Sequence, residues 1–194
     1  IKRKYNFKIN LELKSSMWLI KNSIPLYIYV VLSTIFQNVD LLILKNFDSS
    51  YSTGIYSAAA RIIVPLLIIP TALIHSVFPQ ITSNYANSPE KNFSIIKFLF
   101  KLLYIMAFIL ASIVSFKSKE LVKLVYGNDY IASSDSLSIL LWSQIFMFNS
   151  FLIINLLVAY NKQAGIYFYS IIILITNTLL NYFLIPQFSY LGAA

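Results

Sequence analysis

The sequence predicts an all-α fold, a polytopic bundle of five membrane-spanning helices. Of its 194 residues, 58% are hydrophobic and only 11% are charged, whereas a domain facing water carries about 25% charged side chains. The mean hydropathy is +0.73. Five stretches reach or exceed the roughly 20 mostly apolar residues that carry a helix across a bilayer, and short polar links separate them.

The first stretch, residues 17–47, is long and is interrupted by Lys21, Pro25 and Asp40. The second, 55–82, holds Arg61, Pro65, Pro70, His75 and Pro79. The third, 93–116, carries Lys97 and Lys101 near its beginning, and the fourth covers 135–160. The fifth, 165–185, is expected to end at Pro186, because proline removes a backbone donor. Links this short make sequential spans antiparallel. Only the link 117–134 has room for structure, and its residues 120–126, followed by Gly127, read as a short interfacial helix closed by a glycine. The expected organisation is a cytoplasmic amphipathic linker or helix over 1–16, a transmembrane part over 17–185, and a link over 186–194 toward a further helix. The chain opens on Ile1 and reads as an internal piece of a longer protein.

Charge and composition exclude several functions. The net charge of +8 comes from 15 Lys and Arg against 7 Asp and Glu. Much of the excess, Lys2, Arg3, Lys4, Lys8 and Lys14, precedes the first span, where cytoplasmic flanks are basic. That placement accounts for the charge without a nucleic acid partner. It also sets the expected orientation, with the first span running from inside to outside. With no cysteine and a single histidine, His75, there is no thiolate or histidine-based zinc site. The acids are scattered rather than paired, so no metal, cofactor or glycosidase-type carboxylate pair is expected.

A charge at the bilayer centre costs roughly 2.5–3.5 kcal/mol on insertion scales, so Asp40 and Arg61 are informative. Each lies about seven residues from the outer end of its span, roughly 10 Å deep, on adjacent antiparallel helices. Either the two charges neutralise one another, or Arg61 contacts an anion and Asp40 regulates it. Helical spacing puts Ser33, Gln37 and Asp40 on one stripe and Arg61, Pro65, Ile68, Ala72 and His75 on another. Gln144 and Asn155, then Ser170, Asn177 and Asn181, form two more. Each stripe alone reads as hydrogen-bonding glue between helices; together they favour a shared hydrated interior. Lys97 and Lys101 either snorkel to headgroups or, with His75, supply cationic contacts on the inner side. The prolines of the second span bend it, which suits a transporter that alternates its access side.

The residues then resemble a known family. VDLLILKNFDSSYSTGIYSAAARIIVPLLIIPTALIHSVFPQITS, from Val39, is similar to the seventh and eighth transmembrane helices of bacterial polysaccharide flippases. These are the O-antigen or teichoic-acid type exporters of the multidrug/oligosaccharidyl-lipid/polysaccharide, MATE-like superfamily. LVKLVYGNDYIASSDSLSIL resembles the outer helix and Tyr-Gly turn before the tenth span, and NLLVAYNKQAG with NTLLNYFLIPQFSYLGAA the tenth and eleventh spans. The resemblance implies a MATE-like fold of two lobes around a central cavity, this chain supplying most of the second. It implies a cargo of oligosaccharide on undecaprenyl pyrophosphate, flipped across a bacterial plasma (inner) membrane. Lipid II flippases carry a similar Tyr-Ala-Asp-Arg-Leu element with an arginine matching Arg61; Ala60 stands here in place of its aspartate, which sets this chain apart from them.

The cavity candidates are Arg61, Asp40, Gln37, Asn177, Asn181, Lys97, Lys101 and His75. Expected partners are the lipid-linked oligosaccharide, membrane lipid and a coupling ion, H+ or Na+. A cation-coupled multidrug exporter of the same superfamily is the nearest alternative, but it favours acidic cavity residues. A polysaccharide polymerase would need catalytic groups in a sizeable outer loop. Here that loop offers Asp129 and Asp135, expected to punctuate a turn and cap the fourth span, so no enzyme is expected.

Overall fold

The structure is a computed structural model that describes residues 13–162 and 164–194. Most of the linker expected over 1–16 lies outside these residues. The elements are α1 (Leu13–Phe47), α2 (Ser50–Ile63), a 3-10 turn (Val64–Leu67), α3 (Ile68–Asn87), α4 (Pro89–Phe116) and α5 (Ser118–Tyr126). A 3-10 turn (Asn128–Tyr130), α6 (Ser133–Ala159), α7 (Ala164–Phe188) and a last 3-10 turn (Ser189–Leu191) follow. The described residues contain no strand, and five segments are long and apolar enough to cross a membrane.

Local chemistry sets the boundaries. Ser49 caps α2, its Oγ accepting the N–H of Ser52 at 3.1 Å. The expected interfacial helix is α5, closed by Gly127 at φ 84°, a backbone region that favours glycine. The second span runs unbroken over Ser50–Tyr85 but tightens midway. Pro65 and Pro70 lack the N–H groups that would reach the carbonyls of Arg61 and Leu66, and the chain between α2 and α3 tightens into a 3-10 turn.

Two expectations are corrected. Pro186 does not end the fifth span, which continues to Phe188. In the last turn a proline forfeits a single hydrogen bond, and its fixed φ is already helical. Asp135 does not cap α6. That position is Ala132, without a side-chain bond, and Asp135 sits in the first turn, where its charge favours the helix dipole.

Packing follows the small and aliphatic stripes. α1 lies along α7 and α4 along α6; α2 bridges α1 and α6, and α3 packs on α4 and α6. On α4, Leu99, Leu103, Ala107 and Ala111 recur every fourth residue and are buried, so the alanines admit α6 closely. Ala58 and Ala59 do the same on α2. One apolar cluster, centred on Ile74, Leu103, Phe148 and Leu152, lies between α3, α4 and α6. A second, around Ala59, Val122 and Leu137, lies between α2, α4, α5 and α6.

Polar ties close both ends. At the end that holds the α1–α2 turn, Ser189 donates to the Asp48 carboxylate, which holds that carboxyl below the ordinary range, and lies 3.2 Å from Ser52 Oγ. Ser136 Oγ reaches Tyr190 O at 3.4 Å, so the last turn also touches α6. At the end that holds the α3–α4 turn, Asn92 Nδ2 donates to Tyr160 Oη at 3.0 Å, and Tyr160 stacks on Tyr85 with centroids 4.1 Å apart.

The last turn sits so close to α7 that a Cβ at Gly192 would stand 2.5 Å from the Leu184 carbonyl oxygen. Gly192→Ala is therefore expected to lift this turn and destabilise the protein by about 1–3 kcal/mol, lowering the thermal midpoint in detergent by a few degrees. Gly54→Ala, where a Cβ meets nothing within 4 Å, serves as the control and leaves the midpoint unchanged or higher.

Candidate functional site

The deep carboxylate organises polar residues in the half of the bundle that holds the α1–α2 turn. Asp40 lies seven residues before the end of α1 and is partly buried. Tyr56 of α2 donates its hydroxyl to Asp40 Oδ2 at 2.9 Å, and Asn181 Nδ2 of α7 donates to Oδ1. Asn181 also donates to Asn177 Oδ1 at 3.2 Å, one helical turn back along α7. Tyr56 and Asn181 are buried, at 5% and 4% exposure, beneath Leu44 and Ile185. Three helices thus converge on one carboxylate through neutral donors.

The pairing of Asp40 with Arg61 is not formed. Among the described residues the one ion pair is Lys117 with Glu120, 2.8 Å apart and exposed on the link before α6. The reason is angular. Arg61 follows Tyr56 by five residues on α2, which turns it about 140° from the Tyr56 face and carries it about 7.5 Å further along the axis. Tyr56, rather than Arg61, meets Asp40 across the α1–α2 turn.

Arg61 instead heads an open line. Arg61, Pro65, Ile68, Ala72 and His75, at the spacing the sequence showed, are all exposed, and Pro79 continues them. Arg61 lies in the last turn of α2, about 16 Å from its start, just before the 3-10 turn. His75 lies beyond that turn on the same line, about 21 Å further along. The guanidinium is therefore neither shut in a dry seam nor spent on a described carboxylate.

The remaining candidates separate. Gln37 is exposed on α1, and its Nε2 donates to the Ser33 carbonyl at 3.2 Å; Ser33, Thr34 and Asn38 likewise bond to their own helix. Asn155 and Ser170 do the same on α6 and α7. Of the four stripes, Asp40, Asn177 and Asn181 come together with Tyr56, and Gln144 is buried separately on α6, where its Nε2 donates to the Leu140 carbonyl at 3.3 Å. Lys97 and Lys101 each stand two residues from a buried leucine, about 200° around α4 from the α6 seam, and both are exposed. Sequence reasoning missed Tyr56. Its signal was available, since it stands as far after the Asp48–Ser49 turn as Asp40 stands before it.

Comparison with known proteins gives three findings. Residues 1–135 match the family described as polysaccharide biosynthesis protein. The chain is 26% identical over 175 residues to the capsular polysaccharide biosynthesis protein CapF of Staphylococcus aureus, covering 89% of this chain and 44% of that protein. It thus spans less than half the length of this relative. No solved structure matches.

A double-mutant cycle reads the geometry directly. Asp40→Asn combined with Tyr56→Phe is expected to be non-additive by about 0.5–3 kcal/mol in the unfolding free energy of the full-length protein in mixed micelles. Asp40→Asn combined with Arg61→Gln is expected to add within about 0.5 kcal/mol.

Proposed function

Because the chain belongs to the polysaccharide biosynthesis protein family, we propose that it forms one lobe of a flippase. That flippase moves an undecaprenyl-pyrophosphate-linked oligosaccharide from the cytoplasmic to the outer leaflet of a bacterial plasma membrane. The observation that carries the reading is Arg61, an exposed guanidinium within the span, beside a 3-10 turn, in a chain with 11% charged residues. Such a group is costly in hydrocarbon and is retained where it meets a partner. A pyrophosphate is a fitting one, since guanidinium forks bind phosphate oxygens bidentately.

In this reading the Arg61–His75 line forms a wall of the translocation path and faces the other lobe. The pyrophosphate engages Arg61, sugars exchange hydrogen bonds with polar groups such as Gln37 on the open face of α1, and the prenyl tail stays in lipid. The proline-marked 3-10 turn at Val64–Leu67 is, in this reading, where the second span flexes as access alternates. Asp40, ringed by Tyr56 and Asn181 and by no described cation, is the group placed to take the coupling ion, H+ or Na+. Lys97 and Lys101, on the back of α4, serve as headgroup anchors rather than cargo contacts. An exporter of cationic drugs is disfavoured, because Asp40 is the sole acid away from the helix ends among the described residues.

Arg61→Ala is expected to reduce surface polysaccharide at least about tenfold, as loss of a charged hydrogen-bonding contact worth about 1.5–3 kcal/mol implies. Lipid-linked oligosaccharide should accumulate on the cytoplasmic leaflet at unchanged protein level, with partial recovery in Arg61→Lys. Normal surface polysaccharide in Arg61→Ala would remove the guanidinium from the mechanism.

A further inference from the structure

A groove of about 400 Å³ runs between α3 and α4 at the end of the bundle that holds the α3–α4 turn, away from both the Arg61 line and the Asp40 cluster. Its polar rim is Gln80 of α3 with Lys91 and Ser94 of α4, near the Asn87–Pro89 turn. Its apolar part, Val77, Ile95, Phe98 and Leu99, extends along α4 to about 15 Å from that helix's start. The groove is therefore polar where headgroups lie and apolar where acyl chains lie.

Two observations give it an occupant. The polar rim is unspent, since neither Gln80 nor Ser94 has a side-chain bond within the described residues. On the same two helices Thr71, Ser76, Thr82, Ser83 and Ser112 each bond a carbonyl of the preceding turn. The charge is also one-sided. Lys91 lines the rim, and Lys101 continues the Lys91–Ser94–Phe98 line one turn deeper, its stem long enough to bring the ammonium back toward the headgroups. Glu90 opposes them in the first turn of α4, leaving the first half of this helix positive once Lys97 is included.

We infer that this groove holds an anionic phospholipid of the inner leaflet. Its phosphate lies between Lys91, Ser94 and Gln80, and one acyl chain lies along Ile95, Phe98 and Leu99. The inference is independent of the cargo, because it concerns a resident lipid at the periphery. A bound lipid here would bridge α3 to α4 and steady the α3 half of the second span.

The test uses the full-length protein in nanodiscs, with Trp18, Trp142 and every tryptophan outside these 194 residues replaced by Phe and Phe98→Trp as the sole fluorescent reporter. Brominated phosphatidylglycerol is expected to quench the reporter at about fivefold lower mole fraction than brominated phosphatidylcholine, as one lysine near a phosphate implies. Lys91→Gln should abolish that preference, whereas Lys119→Gln on the outer link should leave it intact. Equal quenching by the two lipids, or a preference that survives Lys91→Gln, would overturn the inference. Undecaprenyl phosphate relieving the quenching more effectively than unbrominated phosphatidylglycerol would overturn the assignment to phospholipid and make the groove a cargo entry.

Discussion

Hydrocarbon offers no hydrogen bonds, and this one deficiency shapes the chain at every level. Backbone groups must be satisfied within the helices, so the described residues form helices and short turns without a strand. Side-chain polar groups obey the same demand by the shortest route. Ser33, Thr34, Gln37 and Asn38 all turn back to carbonyls of α1. A carboxylate has no such route, because it only accepts, and the helix has no free donor past its first turn. Asp40 must therefore recruit donors from other helices, and α2 and α7 come together around it.

The same deficiency shapes the second span. Pro65 and Pro70 cannot donate, and the chain answers with a 3-10 turn in which the Ile68 N–H reaches the Pro65 and Leu66 carbonyls. Arg61 stands just before this turn and heads the exposed line that runs to His75. A guanidinium at that position is compatible with a wet or occupied face and poorly compatible with acyl chains.

The spans were legible because length and hydropathy are one-dimensional properties. The α5 helix and its Gly127 closure were equally legible, since a charged-apolar alternation ending in glycine has few other folds. Depth was legible for Asp40 but not for Arg61, because α2 begins at Ser50 rather than at residue 55 and carries Arg61 about 16 Å from its start. What the sequence concealed was azimuth. Arg61 and Tyr56 both lie across the turn from Asp40, and charge complementarity drew attention to the arginine although helical rotation turns it away. The 3-10 turn was hidden for a related reason, since three prolines in one span predict distortion but not the form it takes. Pairing between Asp40 and Asn181, 141 residues apart, depends on which helices become neighbours, and no local pattern encodes that.

That separation has a consequence for biogenesis. Tyr56 emerges from the ribosome soon after Asp40, but Asn181 follows 141 residues later. At ordinary rates of synthesis the interval is on the order of ten seconds. Throughout it the first hairpin carries a carboxylate with half its donors missing. The nascent chain therefore has reason to stay beside the insertion machinery, or with α1 near the aqueous boundary, until α7 arrives with the missing donor.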